Sequence, residues 1–125
     1  MASQTERRAR RTLFITSLVG FMVAMEITII SIARNQISAA FPEAEAATLS
    51  WVITAYNIGV ASLLLPAGWM ADRYGRKKVF LWGLAAFIFG SLLSGLASTP
   101  SLLIGARVVQ SIGGAAQYPA GLALL

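Results

Sequence analysis

Four stretches of this chain are almost continuously apolar, and the polar residues gather between them. The runs are Leu13 to Ala33, Trp51 to Ala71, Val79 to Ala97 and Leu102 to Leu125. A helix rises ~1.5 Å per residue, so roughly 20 apolar residues cross the ~30 Å hydrocarbon layer of a bilayer. All four runs are about that long. They show no alternation and exceed strand length, which argues against a barrel. The pattern predicts an all-α membrane protein with four transmembrane helices. The first run holds one acid, Glu26, the fourth holds one base, Arg107, and the middle two carry no charge. The first run is too long for a cleaved signal sequence and three more spans follow it, so it is expected to be retained.

Composition agrees with lipid as the solvent. Of 125 residues, 57% are hydrophobic and 12% charged, where a soluble domain carries about 25% charged residues. Mean hydropathy is +0.71. Cysteine and histidine are absent, which removes disulfides, thiolate sites, and the commonest general base and metal ligand. The five acids are scattered rather than paired. No catalytic residues, metal site or cofactor are therefore expected, and the chain does not read as an enzyme.

The net charge of +5 is concentrated at two places: Arg7, Arg8, Arg10 and Arg11, and then Arg73, Arg76, Lys77 and Lys78. Both clusters flank apolar runs, where basic residues hold cytoplasmic loops and meet anionic lipid. No nucleic-acid motif accompanies them, so membrane lipid and not nucleic acid is the expected partner. The basic clusters predict residues 1–12 as a cytoplasmic segment preceding a helical bundle over 13–125, with both termini cytoplasmic in the cell membrane. The link from Arg34 to Ser50 and the short link from Ser98 to Ser101 then lie outside. Rows of small residues, Ala86, Gly90 and Ser94 on the third run and Gly105, Gly113 and Gly121 on the fourth, suit close helix approach in lipid.

The segment between the second and third runs, Gly68-Trp69-Met70-Ala71-Asp72-Arg73-Tyr74-Gly75-Arg76-Lys77-Lys78, resembles the signature of the major facilitator superfamily, G-x-x-x-D-R-x-G-R-[KR]-[KR]. Every defining position matches. Gly68 is expected to permit close approach near the end of the second helix, and Gly75 to supply the backbone freedom of a tight turn. Asp72 would sit near the negative end of a helix dipole and need a cationic partner, Arg73 or Arg76. The resemblance implies a conformational latch at this loop: Gly68, Asp72, Arg73, Gly75, Arg76, Lys77 and Lys78. Two further stretches are similar to the fourteen-helix drug:proton antiporters of that superfamily. One is Trp51-Val52-Ile53-Thr54-Ala55-Tyr56, followed by Pro66. The other, Met25-Glu26-Ile27-Thr28-Ile29-Ile30-Ser31-Ile32-Ala33, matches their first-helix pattern L-D-x-T-[IV]-V-N-V-A-L-P, with Glu26 in place of Asp and Ser31 in place of Asn. Arg34 and Asn35 also depart from that pattern. Leu103, Arg107 and Gln110 resemble their fourth-helix motif, although Ser111 stands where glycine is usual.

Depth counting brings four polar groups to one level. Glu26 lies seven residues below Ala33, Asn57 six below Trp51 and Arg107 five below Leu102, which corresponds to ~10, ~9 and ~8 Å. Gln110 follows about one turn deeper. Charged groups at such depth pair or line a wet pathway. Glu26 is the expected proton-coupling group, and Asn57, Arg107, Gln110 and Thr28 the expected cavity residues.

Together these features imply the N-terminal part of a major facilitator fold. The implied function is secondary active transport, as proton-coupled export of hydrophobic or cationic small molecules. The implied partners are protons, such a substrate, membrane lipid, and the missing C-terminal helices of the same transporter. The abrupt apolar end at Leu125 reads as a cut. A non-transporting truncated or assembly-partner protein and a self-contained oligomeric four-helix transporter are the competing readings.

Overall fold

The computed structural model describes residues 4–122, with the side chains of 27 and 120–122 excepted. The described chain is helical nearly throughout, as α1 (Gln4–Ala40), α2 (Ala46–Tyr74), α3 (Arg76–Gly95) and α4 (Pro100–Leu122). Three of these, α1, α2 and α3, are long and apolar enough to cross a membrane; α4 is long enough but less apolar.

The helices outrun the apolar runs. The 37 residues of α1 extend ~56 Å, well beyond the hydrocarbon, and the arginines at 7–11 form its first turns. They are therefore helical and continuous with the first apolar run. At its other end α1 continues through Arg34 to Ala40 and α2 begins at Ala46, so the expected link from Arg34 to Ser50 shrinks to residues 41–45. Arginine, alanine and glutamine are good helix formers and carry a helix past the lipid boundary.

Local chemistry accounts for the ends and interiors. Gly75 alone joins α2 to α3 with φ 102° and ψ 129°, a conformation open to glycine and strained for other residues. Its N–H closes the last turn of α2 on the Ala71 carbonyl, and its own carbonyl accepts from the Val79 N–H. Thr99 caps α4: its Oγ1 accepts from the Leu102 N–H at 3.2 Å, and Pro100 fills the first helical position, where no N–H is needed. Hydroxyls inside the apolar runs bond to their own helix, as with Thr54 to the Ser50 carbonyl (3.0 Å) and Ser111 to the Val108 carbonyl (2.6 Å). Such back-bonding removes the penalty of an unpaired group in lipid.

The bundle is built around α4, which packs extensively on α2 and α3, while α1 touches α4 and α2 more lightly and has two buried residues among those described, Val19 and Val23. The α3–α4 seam depends on glycine. A Cβ on Gly113 would stand 2.5 Å from both the Gly83 carbonyl and the Phe87 N–H, and one on Gly90 would stand 2.6 Å from Gln110. Gly105, by contrast, has open space beside it, and Gly121 lies outside the described side chains. Among the described residues Gly68 meets Pro119, at an ordinary 3.7 Å from a built Cβ, so the close approach expected of it is not seen there.

Candidate functional site

The polar cluster lies where α1, α2, α3 and α4 converge. Arg107 is 1% exposed, and a lone guanidinium could not remain so far from water. Its partners come from three helices. Arg107 Nη1 donates to Glu26 Oε1 of α1 and to Gln110 Oε1 of its own helix at 2.8 Å. Its Nε donates to the Val52 carbonyl of α2 at 3.2 Å. The guanidinium carbon also sits 4.4 Å from the centre of the Tyr56 ring, a cation–π contact strengthened by desolvation.

Gln110 joins this pair to α3. Its Nε2 donates to Ser91 Oγ at 2.7 Å and to Glu26 Oε1 at 3.3 Å, while its Oε1 accepts from Ser94 Oγ at 3.4 Å. The Glu26 side chain keeps 16% exposure against 1% for that of Arg107. The carboxylate therefore sits at the rim of the cluster and the guanidinium at its centre. This arrangement holds a partly exposed carboxyl against a fixed cation.

The expected polar layer is assembled only in part. Glu26, Arg107 and Gln110 come together, but Asn57 and Thr28 are exposed on their helices and make no contact with the cluster that the structure records. Asn57 follows Tyr56 and is turned ~100° from it, and Thr28 is turned ~200° from Glu26. Instead of Asn57, α2 contributes the Val52 carbonyl and the Tyr56 ring. A backbone carbonyl leaves no mark in a sequence, but Tyr56 is one helical turn from Val52, and that spacing signals a shared face.

The loop between α2 and α3 forms a second polar group at the opposite end of these helices. Arg76 lies 3.6 Å from Asp72, with both side chains more than half exposed. Arg73 turns the other way and stacks over Trp69 and Tyr74, 5.3 and 5.8 Å from their ring centres. The two rings meet edge to face, 6.4 Å apart. Asp72 thus takes Arg76 of its two local candidates, and Arg73 is held by aromatic faces. Lys77 and Lys78 are exposed, Lys77 at the mouth of a groove lined by Thr12, Ile15, Thr16, Phe80 and Leu81.

Comparison with known proteins agrees with this architecture. The family model described as Major Facilitator Superfamily matches residues 12–125. The chain is 37% identical to the cephamycin export protein of Amycolatopsis lactamdurans, over 99% of this chain and 26% of that protein. It is 36% identical to the multidrug resistance protein B homolog of Mycobacterium tuberculosis, over 92% of this chain and 21% of that one. It is 39% identical to the methylenomycin A resistance protein of Streptomyces coelicolor, over 89% of this chain and 24% of the relative. The chain therefore spans about a quarter of the length of these curated relatives. With helices apolar enough to cross a membrane, a complete loop signature between α2 and α3, and a family match over nearly its whole length, this multi-pass membrane protein belongs to the major facilitator superfamily.

Proposed function

We propose that these four helices form part of a proton-coupled exporter of hydrophobic or cationic small molecules, of the drug:proton antiporter type, in the cell membrane. The observation that carries this reading is the Glu26 carboxylate held against Arg107 and Gln110 inside an apolar bundle. A charged group at that depth is unfavourable and is kept where a pathway needs it. Glu26 is also the only carboxyl within the four apolar runs. The relatives' names, which speak of cephamycin export and of multidrug and methylenomycin A resistance, support a drug-like substrate. Because the chain covers about a quarter of their length, transport is assigned to these helices acting together with further ones, not to the four alone.

In the proposed cycle, Glu26 alternates between an ion pair with Arg107 and a protonated carboxyl freed from it. Substrate and proton compete for the same cluster, so occupancy by one favours release of the other. Arg107 and Gln110 shape the closed end of the cavity, and Asn57 and Thr28 line the exposed faces of α2 and α1. The Gly68–Lys78 loop lies on the cytoplasmic side with both termini. There Asp72 acts as a latch whose partners differ between conformations, biasing the population of one state without touching substrate. The basic residues Arg73, Arg76, Lys77 and Lys78 hold the loop at the anionic inner surface, and Gly75 keeps the turn tight.

The test is Glu26→Gln in the full-length transporter that carries these helices. Substrate movement is expected to uncouple from the pH gradient while membrane insertion stays normal, and Glu26→Asp is expected to keep partial coupling. Proton-driven transport that survives Glu26→Gln intact would reduce Glu26 to a structural partner of Arg107.

A further inference from the structure

Two buried polar atoms in the bundle have no hydrogen-bond partner among the described residues, the Tyr56 hydroxyl and the Gln117 Nε2. Tyr56 is 2% exposed and Gln117 4%. Buried groups of this kind are nearly always bonded, to protein or to ordered water. Neither belongs to the network that joins Glu26, Arg107 and Gln110.

Their placement is directional. The Tyr56 ring lies under the Arg107 guanidinium, and its hydroxyl reaches Gly114, where a built Cβ would stand 2.9 Å away. Gln110, Gly114 and Gln117 follow at spacings of four and three, so they share one face of α4. That face begins at Gln110, whose amide touches Glu26. Glycine at 114 leaves no side chain between the phenol and Gln117, about 5 Å farther along the helix axis. The cover from α1 is thin: Val23 packs on Tyr56 and Phe87, and Val19 packs on Ala71, Val79 and Phe80. These valines are the two buried α1 side chains among those described.

We propose that Tyr56 Oη and Gln117 Nε2 form a buried hydration subsite under α1, and that its water carries protons between Glu26 and the C-terminal half of α4. Tyrosine suits the role because its oxygen accepts a hydrogen bond while its O–H donates one. Gln117 holds water in place through its amide without ionising. A site with two or more polar partners is what a buried water needs. In the transfer, the proton leaves the Glu26 carboxyl for water, water passes one on along the face of α4 to the aqueous phase beyond the end of the helix, which takes it up, and the carboxylate left behind returns to Arg107. Charge and atoms balance with no further reactant. The relay rests on the proton-carrier reading of Glu26, and it adds the route by which the proton reaches that residue.

Tyr56→Phe keeps the ring under Arg107 and deletes only the hydroxyl, and Gln117→Leu deletes only the amide. In the full-length transporter, the double variant is expected to slow pH-driven substrate flux roughly tenfold. Substrate counterflow, which moves no net proton, should be unchanged in Gln117→Leu alone, which leaves the Tyr56 ring beside Arg107 untouched. Glu26→Gln in parallel separates the two ideas. If it uncouples transport while the double variant runs at the parent rate, the water route is wrong and the carrier role stands. If Glu26→Gln leaves proton-driven flux intact, both fall. Loss of counterflow in Gln117→Leu would assign Gln117 to packing and overturn the relay. A second measurement needs no transport: X-ray radiolytic hydroxyl labelling of the purified chain in lipid nanodiscs should modify Tyr56 despite its burial, because bound water supplies the radical. Labelling of exposed Tyr74 without Tyr56 would overturn the hydration subsite.

Discussion

Replacing Arg107 with methionine tests whether the polar cluster holds the bundle together. Methionine fills much of the same volume, so the change removes charge and hydrogen bonds rather than packing. Three acceptors lose the guanidinium at once: the Glu26 carboxylate and Gln110 Oε1, which keep one other donor each, and the Val52 carbonyl. Single side-chain hydrogen bonds within bilayers average only ~0.6 kcal/mol. Breaking a buried ion pair from one side is a larger effect, about 3–5 kcal/mol, because the remaining charge stays buried and uncompensated. The Glu26 side chain is 16% exposed rather than fully buried, which places the expected loss at the lower end, about 3 kcal/mol, or roughly 100-fold in the folding equilibrium. Equilibrium unfolding of the chain in mixed detergent micelles, followed by circular dichroism, reads this directly. Glu26→Gln should cost less, since an amide oxygen can still accept from Arg107. The double variant Glu26→Gln/Arg107→Met should recover part of the loss, with a coupling of about 1–3 kcal/mol. A loss below ~1 kcal/mol for Arg107→Met, or strict additivity in the cycle, would refute the view that this pair organises the bundle.

Three further outcomes can be checked on the same chain. Gly113→Val should lower the unfolding midpoint, at about 1–3 kcal/mol of overpacking, because even a Cβ meets backbone of α3 at 2.5 Å. Gly105→Ala, with nothing within 4 Å of its built Cβ, should not lower it; equal losses at both positions would undo the argument from close approach. Gly75→Ala should destabilise the α2–α3 turn by about 1–3 kcal/mol, since φ is +102° there; thermal denaturation that leaves the midpoint unmoved would show that the turn relaxes freely. The chain has no native cysteine, so Thr5→Cys and Glu43→Cys can be probed singly with an impermeant thiol reagent in intact cells. Labelling at 43 and not at 5 is expected, and labelling of both from outside would overturn the proposed orientation.

The membrane helices were legible because spanning hydrocarbon demands a length and a composition that appear directly as apolar runs. Their ends were not, because Arg7 to Arg11 and Arg34 to Ala40 continue as helix in water or at the interface, where hydropathy no longer marks a boundary. Depth counting found Glu26, Arg107 and Gln110 because a layer is a statement about height along the axes. It does not bring Asn57 into the cluster, because height says nothing about rotation, and a step of one residue turns a side chain by ~100°. On the seam, Gly90 and Gly113 belong to the small-residue rows, and Gly83, outside those rows, lies seven residues before Gly90, the spacing of a continued face. The loop signature gave the turn at Gly75 but not the division of labour between Arg73 and Arg76. That division depends on the aromatic faces of Trp69 and Tyr74.

The one helix without a stretch as apolar as the spans of the other three is the one most enclosed by them, and this ordering explains the site. In lipid the outer helices must be greasy, whereas a central helix is covered by protein and can carry Arg107, Gln110, Ser111 and Gln117, all buried. Polar side chains there bond across helices in the absence of a hydrophobic force drawing the helices together. They can do so only if backbones come close, which the glycines of α3 and α4 permit. Gly90 lets α3 lie directly on Gln110, and Gln110 in that position reaches Ser91, Ser94 and Glu26 together. A side chain at position 90 would displace Gln110 before it touched any charged residue. The packing of α3 on α4 and the setting of the carboxyl are therefore one design, and the small residues that look like packing alone also fix the geometry of the cluster.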